Sequence, residues 1–371
     1  ISIGGSGNYD NIASIIENRD GSFFLGGTSA STNRACSGYG GNDYWLVKID
    51  SGGHTLWERC YGGTSADGFG QFLPMEDGGL LLGGTSSSVP SGSKTSPRFG
   101  SDNDFWLVRV DANGTVLWDK TYGGTGEDLF RSMIRTPDGG IALLGKSAST
   151  PSGNKTSPHY GTQFTYDLWV VRLDAAGNIV WDKSYGGSGQ EQPGTIQLTL
   201  DNGFVLAGSS DSLASSTKLS TNWGAGDYWL LRLDQSGNTV WEQTIGGTKS
   251  DECKGVIVAP DGGFLLAGYT LSGQNGNKTV GDSPEGDLWL VKTQPDVVLL
   301  KPLPLWRTSS ASEEFKFSVT APPGLYALDY SENIISWIPI QTNQLQTGPS
   351  IFSYPSAPGS SQRFYRVRSV F

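Results

Sequence analysis

A period of about sixty residues, written five times, constrains this chain more than anything else in it. Trp45, Trp106, Trp169, Trp229 and Trp289 each follow an aspartate by two positions and are separated by 61, 63, 60 and 60 residues. A second tryptophan recurs at Trp57, Trp118, Trp181 and Trp241, separated by 61, 63 and 60 residues. Asp-Gly or Asp-Asn-Gly turns begin at Asp20, Asp77, Asp138, Asp201 and Asp261. Three landmarks that hold one period define a repeat, and such a repeat stacks one supersecondary unit on the next.

Each copy carries four short apolar runs. In the third they are Leu129–Arg135, Ile141–Ser147, Leu168–Leu173 and Ile179–Lys183. The breaks between them are Pro137-Asp138-Gly139-Gly140, a Ser/Thr/Gly/Pro loop, and Asp174-Ala175-Ala176-Gly177-Asn178. Runs of four to eight apolar and aromatic residues between such turns read as strands, and no stretch sustains a helical period. Four antiparallel strands per repeat make a propeller blade. The expected fold is all-β: a five-bladed β-propeller over residues 1–300, with a small C-terminal β module over 301–371.

Length and charge agree with that reading. The chain has 371 residues, 53 of them glycine, and a net charge of −10. The negative balance repels phosphates, so a nucleic-acid partner is not expected. No apolar run is long enough for a transmembrane helix. Cys36, Cys60 and Cys253 are odd in number; a Cys36–Cys60 disulfide within one blade is open to them, although idle thiols are the expectation.

The chain starts inside a repeat, at Ile1-Ser2-Ile3-Gly4-Gly5, as if a leader had been removed. Ile1–Ile3 stands where Arg59-Cys60-Tyr61 stands in the next copy. The fifth copy loses its last turn and second Trp after Lys292, so the two ends are expected to share one blade and close the ring. From Lys301 the repeat marks vanish. Phe315–Thr320, Leu325–Tyr330, Ser336–Gln341, Ile351–Tyr354 and Phe364–Ser369 read as strands of a separate unit.

The pattern YGGT…DGG…LLGGTS…DYWLVKID…W over residues 1–292 resembles repeats of secreted bacterial surface proteins expected to be propellers. The segment GLYALDYSENIISWIPIQT…RFYRV is similar to a module at the ends of many secreted bacterial proteins. The resemblance implies a propeller, and a secreted or cell-surface location; it implies no substrate.

In a four-strand meander, the 1–2 and 3–4 turns lie on one face and the 2–3 and blade-to-blade loops on the other. The second set is the long one, and long loops on a rigid scaffold carry function. Three residue types repeat there. An acid stands ten positions before each turn: Asp10, Asp67, Asp128, Glu191 and Asp251. The 2–3 loops repeat a base, Arg34, Lys94, Lys155, Lys218 and Lys278, and four repeat an aromatic, Tyr39, Phe99, Tyr160 and Trp223.

A ring of carboxylates can hold Ca²⁺ or accept hydrogen bonds from sugar hydroxyls, and aromatic faces suit sugar rings. The competing reading is a latch in each blade, in which the acid caps a turn and pairs with the loop base. The aspartates two before each first Trp (Asp43, Asp104, Asp167, Asp227, Asp287) read as structural. Catalytic motifs are scarce: His54 and His159 fall on opposite faces and cannot share a metal, and no GxSxG elbow or phosphate loop occurs. The leading expectation is a monomeric, secreted binding propeller with a glycan or other small-molecule ligand. The alternatives are a carbohydrate-active enzyme that uses two of the ring carboxylates, and a purely structural surface repeat.

Overall fold

The computed structural model describes residues 4, 10–18, 20–31, 38–281 and 286–293, and the strand backbones 314–320, 324–331, 338–345, 349–355 and 364–369. Ile1–Ile3 and their expected pairing, Arg34, Cys36 and the boundary near residue 300 lie outside the described residues.

The first blade is β1 (Asp10–Glu17), β2 (Phe23–Ser29), β3 (Asp43–Ile49) and β4 (Thr55–Tyr61). The second is β5 (Asp67–Pro74), β6 (Leu80–Ser86), β7 (Asp104–Val110) and β8 (Val116–Tyr122). The third is β9 (Asp128–Arg135), β10 (Ile141–Ser147), β11 (Asp167–Leu173) and β12 (Ile179–Tyr185). The fourth is β13 (Glu191–Leu198), β14 (Phe204–Ser210), β15 (Asp227–Leu233) and β16 (Thr239–Ile245). The fifth has three strands among the described residues, β17 (Asp251–Val258), β18 (Phe264–Thr270) and β19 (Asp287–Lys292). Each sheet is an antiparallel meander in chain order. The fold is an all-β, five-bladed β-propeller with a partial last blade.

Beyond it lie β20 (Glu314–Thr320), β21 (Gly324–Ser331), β22 (Ile338–Leu345), β23 (Pro349–Pro355) and β24 (Phe364–Ser369). They form a β20–β23 pair and a β22–β21–β24 sheet. No helix of the described residues is long and apolar enough to cross a membrane.

The inner strands β5, β9, β13 and β17 pack one on the next, and each is bent by a bulge at the same place. The register slips between Phe69 and Gln71, between Pro193 and Thr195, and between Cys253 and Gly255. A bulge adds local twist, which suits a strand that lines an axis. The second, third and fourth blades bury both sheet faces, so the middle of their third strands is a continuous apolar run: Phe105, Trp106, Leu107 and Val108 are all buried. That explains the continuous apolar runs in the sequence. Phe105 stacks on Trp169 at 4.8 Å and meets Phe130 edge-on at 5.9 Å. Tyr44 does the same to Trp106 at 4.8 Å and Phe69 at 5.7 Å.

Polar bolts reinforce the blade junctions. The Tyr61, Tyr122 and Tyr185 hydroxyls donate to the carbonyls of Gly114, Gly177 and Gly237 in the next blade's 3–4 turn, at 2.7, 2.7 and 2.6 Å. On the same short-turn face, Arg109, Arg172 and Arg232 pair with Asp77, Asp138 and Asp201 of the first turn.

Cysteine usage departs from expectation. Cys60 is disulfide-bonded rather than an idle thiol, and its partner lies outside the described residues. Cys253 is free and buried.

Candidate functional site

The long-loop face is built from five copies of one polar scaffold. The repeated acids open the inner strands, as the spacing indicated, but four of them are buried rather than presented: Asp67, Asp128, Glu191 and Asp251. Asp128 Oδ2 accepts from the Gly124 amide at 2.7 Å and the Ser149 hydroxyl at 2.8 Å. Asp67 takes Gly63 at 2.7 Å and Ser88 at 2.9 Å. Asp251 takes Gly247 at 2.7 Å and Ser272 at 2.9 Å, and also the Thr270 hydroxyl. Glu191, one methylene longer, takes Ser210 at 2.7 Å and Ser212 at 2.6 Å. Asp10 takes Ser29 at 2.5 Å and Ser31 at 3.1 Å. The acid therefore ties the glycine turn that enters its blade to the end of the second strand.

A second carboxylate faces the latches of the second, third and fourth blades from the blade before. A Cβ added to Gly123 would sit 2.0 Å from Asp104 Oδ1 and 2.8 Å from Asp128 Oδ2, so only glycine lets the chain pass between them. Gly62 has the same relation to Asp43 and Asp67, and Gly186 to Asp167 and Glu191. The outer oxygens of the Asp side chains accept from loop amides: Asp43 from Tyr39, Asp104 from Phe99, Asp167 from Tyr160, each at 2.7 Å, and Asp227 from Trp223 at 2.6 Å. The Oδ1 atoms of Asp43, Asp104, Asp167 and Asp227 have no hydrogen-bond partner, whereas Asp67 and Asp128 also bond the Ser86 and Ser147 hydroxyls.

Burial, and then the neighbouring negative charge, push Asp104 up to about 8 and hold Asp227 at about 6. Burial is likewise the first cause that raises Asp43 and Glu191 to about 7 and Asp128 to about 6. Such groups take up protons near neutrality, because water is missing from around the charged form.

The four described loop bases do not pair directly with these acids. Lys94 is buried, with Nζ donating to the Ser96 carbonyl at 3.0 Å and the Thr121 hydroxyl at 2.7 Å, 5.4 Å from the Trp106 ring centre. Lys155 repeats this on Ser157, Ser184 and Trp169, Lys218 on Ser220, Thr244 and Trp229, and Lys278 on Val280 and Trp289. Burial lowers both Lys94 and Lys155 to about 8. These lysines fasten the long loop over the buried Trp.

Residue spacing alone does not single out the acids that hold the loop from the outer strand. Asp119 accepts from the Ser96 amide at 2.9 Å and Trp106 Nε1 at 2.9 Å. Asp182 accepts from Ser157 at 2.9 Å and Trp169 at 3.0 Å; Glu242 takes the same place on Trp229. Their signal was present, since each follows the second Trp of its repeat directly.

The aromatics behave differently. Tyr39 remains 43% exposed and Trp223 51% exposed; Phe99 and Tyr160 are half-buried. Three of them lean on the next loop: a Cβ at Gly92 would meet Tyr39 Cγ at 2.5 Å, one at Gly153 would meet Phe99 Cγ at 2.7 Å, and one at Gly276 would meet Trp223 Cβ at 3.1 Å. Gly92, Gly153 and Gly276 also hold φ near +60°, which favours glycine twice over. Leu213, Leu219 and Phe164 add exposed apolar surface to the same loops. His159 sits beneath, its Nδ1 2.8 Å from Asp167 Oδ2, and that bond raises it above the ordinary histidine range.

No protein-family model matches the chain. It is 24% identical to the regulatory protein FlaEY of Caulobacter vibrioides over 182 residues, 47% of this chain and 18% of that protein. The Pan2 WD40 domain of Neurospora crassa aligns with a TM-score of 0.40 at 12% identity, over 76% of this chain and 62% of that one. Hydrazine synthase of Kuenenia stuttgartiensis aligns with a TM-score of 0.40 at 12% identity, over 79% and 70%.

Proposed function

We propose that this is a secreted or cell-surface binding propeller whose long-loop face takes a glycan, through the rings of Tyr39 and Trp223 and the apolar side chains beside them. The carrying observation is the pair of half-exposed rings, each held on a left-handed glycine of the adjoining loop. Rings fixed before binding give flat apolar area at little entropic cost. The Cys60 disulfide favours an oxidising compartment. The buried acids and lysines serve this surface by making its loops rigid. Asp67 and Asp128 are fully buried, so they offer a glycosidic oxygen no approach, and a binding role is favoured over hydrolysis. A glycan array with the whole chain tests the reading. Binding that is lost in Trp223→Ala with no change in melting temperature supports it; no glycan retained at any concentration overturns it.

One observation favours a second ligand. The unpartnered Oδ1 atom of Asp104, with the Asp128 carboxylate across Gly123, is where Ca²⁺ would be held, in competition with the proton that burial favours. Calorimetric titration with Ca²⁺ at pH 8.5 should then show binding that Asp128→Asn abolishes; no heat in the native chain removes the cation.

A further inference from the structure

The junction between the third and fourth blades departs from its neighbours. Elsewhere a hydroxyl near the end of a second strand accepts from an amide of the next inner strand: Thr28 Oγ1 from Phe69 at 2.9 Å, Thr85 Oγ1 from Phe130 at 3.1 Å, and Ser209 Oγ from Cys253 at 2.7 Å. In the third blade the hydroxyl position is Lys146, and the amide position opposite is Pro193, which has no N–H to give. Both members of the bolt are replaced together.

Lys146 is half-buried. Its Nζ donates to Gln192 Oε1 at 2.9 Å and lies 4.4 Å from the centre of the Tyr166 ring. It forms no ion pair among the described residues. Burial lowers its hold on the proton, so the ammonium stands where charge is costly and no counter-ion offsets it. Glu127, which acts on it through space, is already engaged: Oε1 accepts from Asn103 at 2.8 Å and Oε2 from the Tyr166 hydroxyl. An ammonium only donates, so its bond fixes which end of the Gln192 amide is oxygen. Gln192 Nε2 is left with two N–H groups that have no partner among the described residues.

Arg131 adds a third donor group. It is the bulged residue of β9, between Phe130 and Ser132. Its counterpart in β5 is Gly70, where an added Cβ would meet the Phe130 ring of the next inner strand at 2.9 Å. The bulged position therefore leads toward the following blade, and Arg131 leads toward β13, which carries Gln192. Arg131 is exposed and makes no hydrogen bond or ion pair among the described residues. Lys254, the bulged base of β17, has Glu252 as its partner. Two residues before Tyr166, Phe164 is 76% exposed, its carbonyl held by Gln190 Nε2 at 2.8 Å.

We propose that Lys146, Gln192 and Arg131 form an oxyanion site at the axial end of the third and fourth blades, and that its ligand is the carboxylate or sulfate ester of an acidic glycan. The glycan rests on the binding function proposed for this face; the oxyanion does not. Three donor groups without a carboxylate partner select a group that only accepts, in a chain whose net charge of −10 otherwise turns anions away. Phe164 offers the sugar ring a flat apolar face.

Isothermal titration calorimetry on the full chain, at neutral pH and fixed ionic strength, tests the site with D-glucuronate, D-glucose 6-sulfate, D-glucose and inorganic sulfate. An acidic sugar should bind and glucose should not; glucuronate against glucose 6-sulfate tells a carboxylate from a sulfate ester. Lys146→Met keeps the stem over Tyr166 and drops the charge, and should raise the dissociation constant at least about tenfold. Arg131→Ala should raise it too, and Lys146→Arg should keep most of the binding. Lys183→Met removes an equal charge from an outer strand, where Lys183 bonds Asn238, and should change nothing. Circular dichroism checks folding; Arg131→Ala, at an exposed position, carries the test if Lys146→Met does not fold. A native chain that binds no anion, or binding that Lys146→Met leaves unchanged, overturns the site even where a neutral glycan is retained through Trp223. Inorganic sulfate bound without either acidic sugar overturns the glycan as its ligand.

Discussion

Asp104→Asn isolates the consequence of burying two carboxylates against one glycine. Asp104 is fully buried and accepts one backbone N–H, from Phe99 at 2.7 Å. Burial first, then the Asp128 charge, raise it from 3.8 to about 8. The folded pKa lies above the unfolded one. The stability owed to protonated Asp104 is therefore complete below about pH 4 and is lost as pH rises through about 8. A tenfold change in proton affinity is worth about 1.4 kcal/mol, so the ceiling is on the order of 5 kcal/mol, and relaxation around the charge reduces it to a few. Asparagine keeps the acceptor for Phe99 and has no charge to desolvate. The variant's stability relative to the native chain should therefore climb steadily from pH 5 to pH 8.5, by roughly 2 kcal/mol or more. Urea unfolding at a series of pH values measures it. Asp77→Asn is the control: its exposed carboxyl is held low, first by its bond to Arg109, so its contribution changes only as pH falls below that window. A difference for Asp104→Asn that stays flat with pH refutes the buried-pair reading.

Three further outcomes are expected. Asp128→Ala leaves the Gly124 amide and Ser149 hydroxyl unpaired in a buried site, which costs about 1–3 kcal/mol for each and should lower the melting temperature by roughly 5–10 °C; a change within error would mean that the latch is idle. Lys94→Met keeps the stem over Trp106 but leaves the Ser96 and Thr121 oxygens without their donor, so it should destabilise by about 1–3 kcal/mol and increase proteolysis of the 87–103 loop. Denatured chain should yield one reactive thiol before reduction and three after it, given one free cysteine, Cys253, and three in the sequence; three thiols without reductant would remove the disulfide.

The fold was legible because the repeat supplies the same period, turn and strand signals five times over. The strands read from sequence in the third copy begin and end within two residues of β9 to β12. The positions of the acid, base and aromatic were equally clear, and their environments were not. Periodicity says that Lys155 and Asp128 recur together; it says nothing of which partners lie within 3 Å once the sheet twists. Lys155 goes to Ser157 and Ser184, 2 and 29 positions away, and Asp128 goes to Gly124 and Ser149. The latch was therefore expected at the surface with a lysine partner, and it stands in the interior with hydroxyl and amide partners.

Symmetry itself separates scaffold from recognition in this chain. A residue present in every blade answers a need present in every blade, and the acids and lysines meet such needs: each closes a glycine turn or fastens a loop. A ligand meets the surface in one place, so selectivity belongs to the positions where the copies diverge. Among the described residues these gather in the third and fourth loops. His159 replaces Arg98, whose guanidinium bonds the Ser87 carbonyl at 2.9 Å, and pairs instead with Asp167. Ser216 holds φ 54° where the second, third and fifth loops use Gly92, Gly153 and Gly276. Phe164 stands 76% exposed in an insertion that the other loops lack, and Trp223 takes the place of a smaller ring. Exchanging the 148–166 loop for the 87–103 loop should leave the blade folded, because the Lys, Thr-Ser and Asp fastenings are common to both, and should change which ligand the face retains. Loss of folding in that exchange would show that these departures serve the scaffold after all.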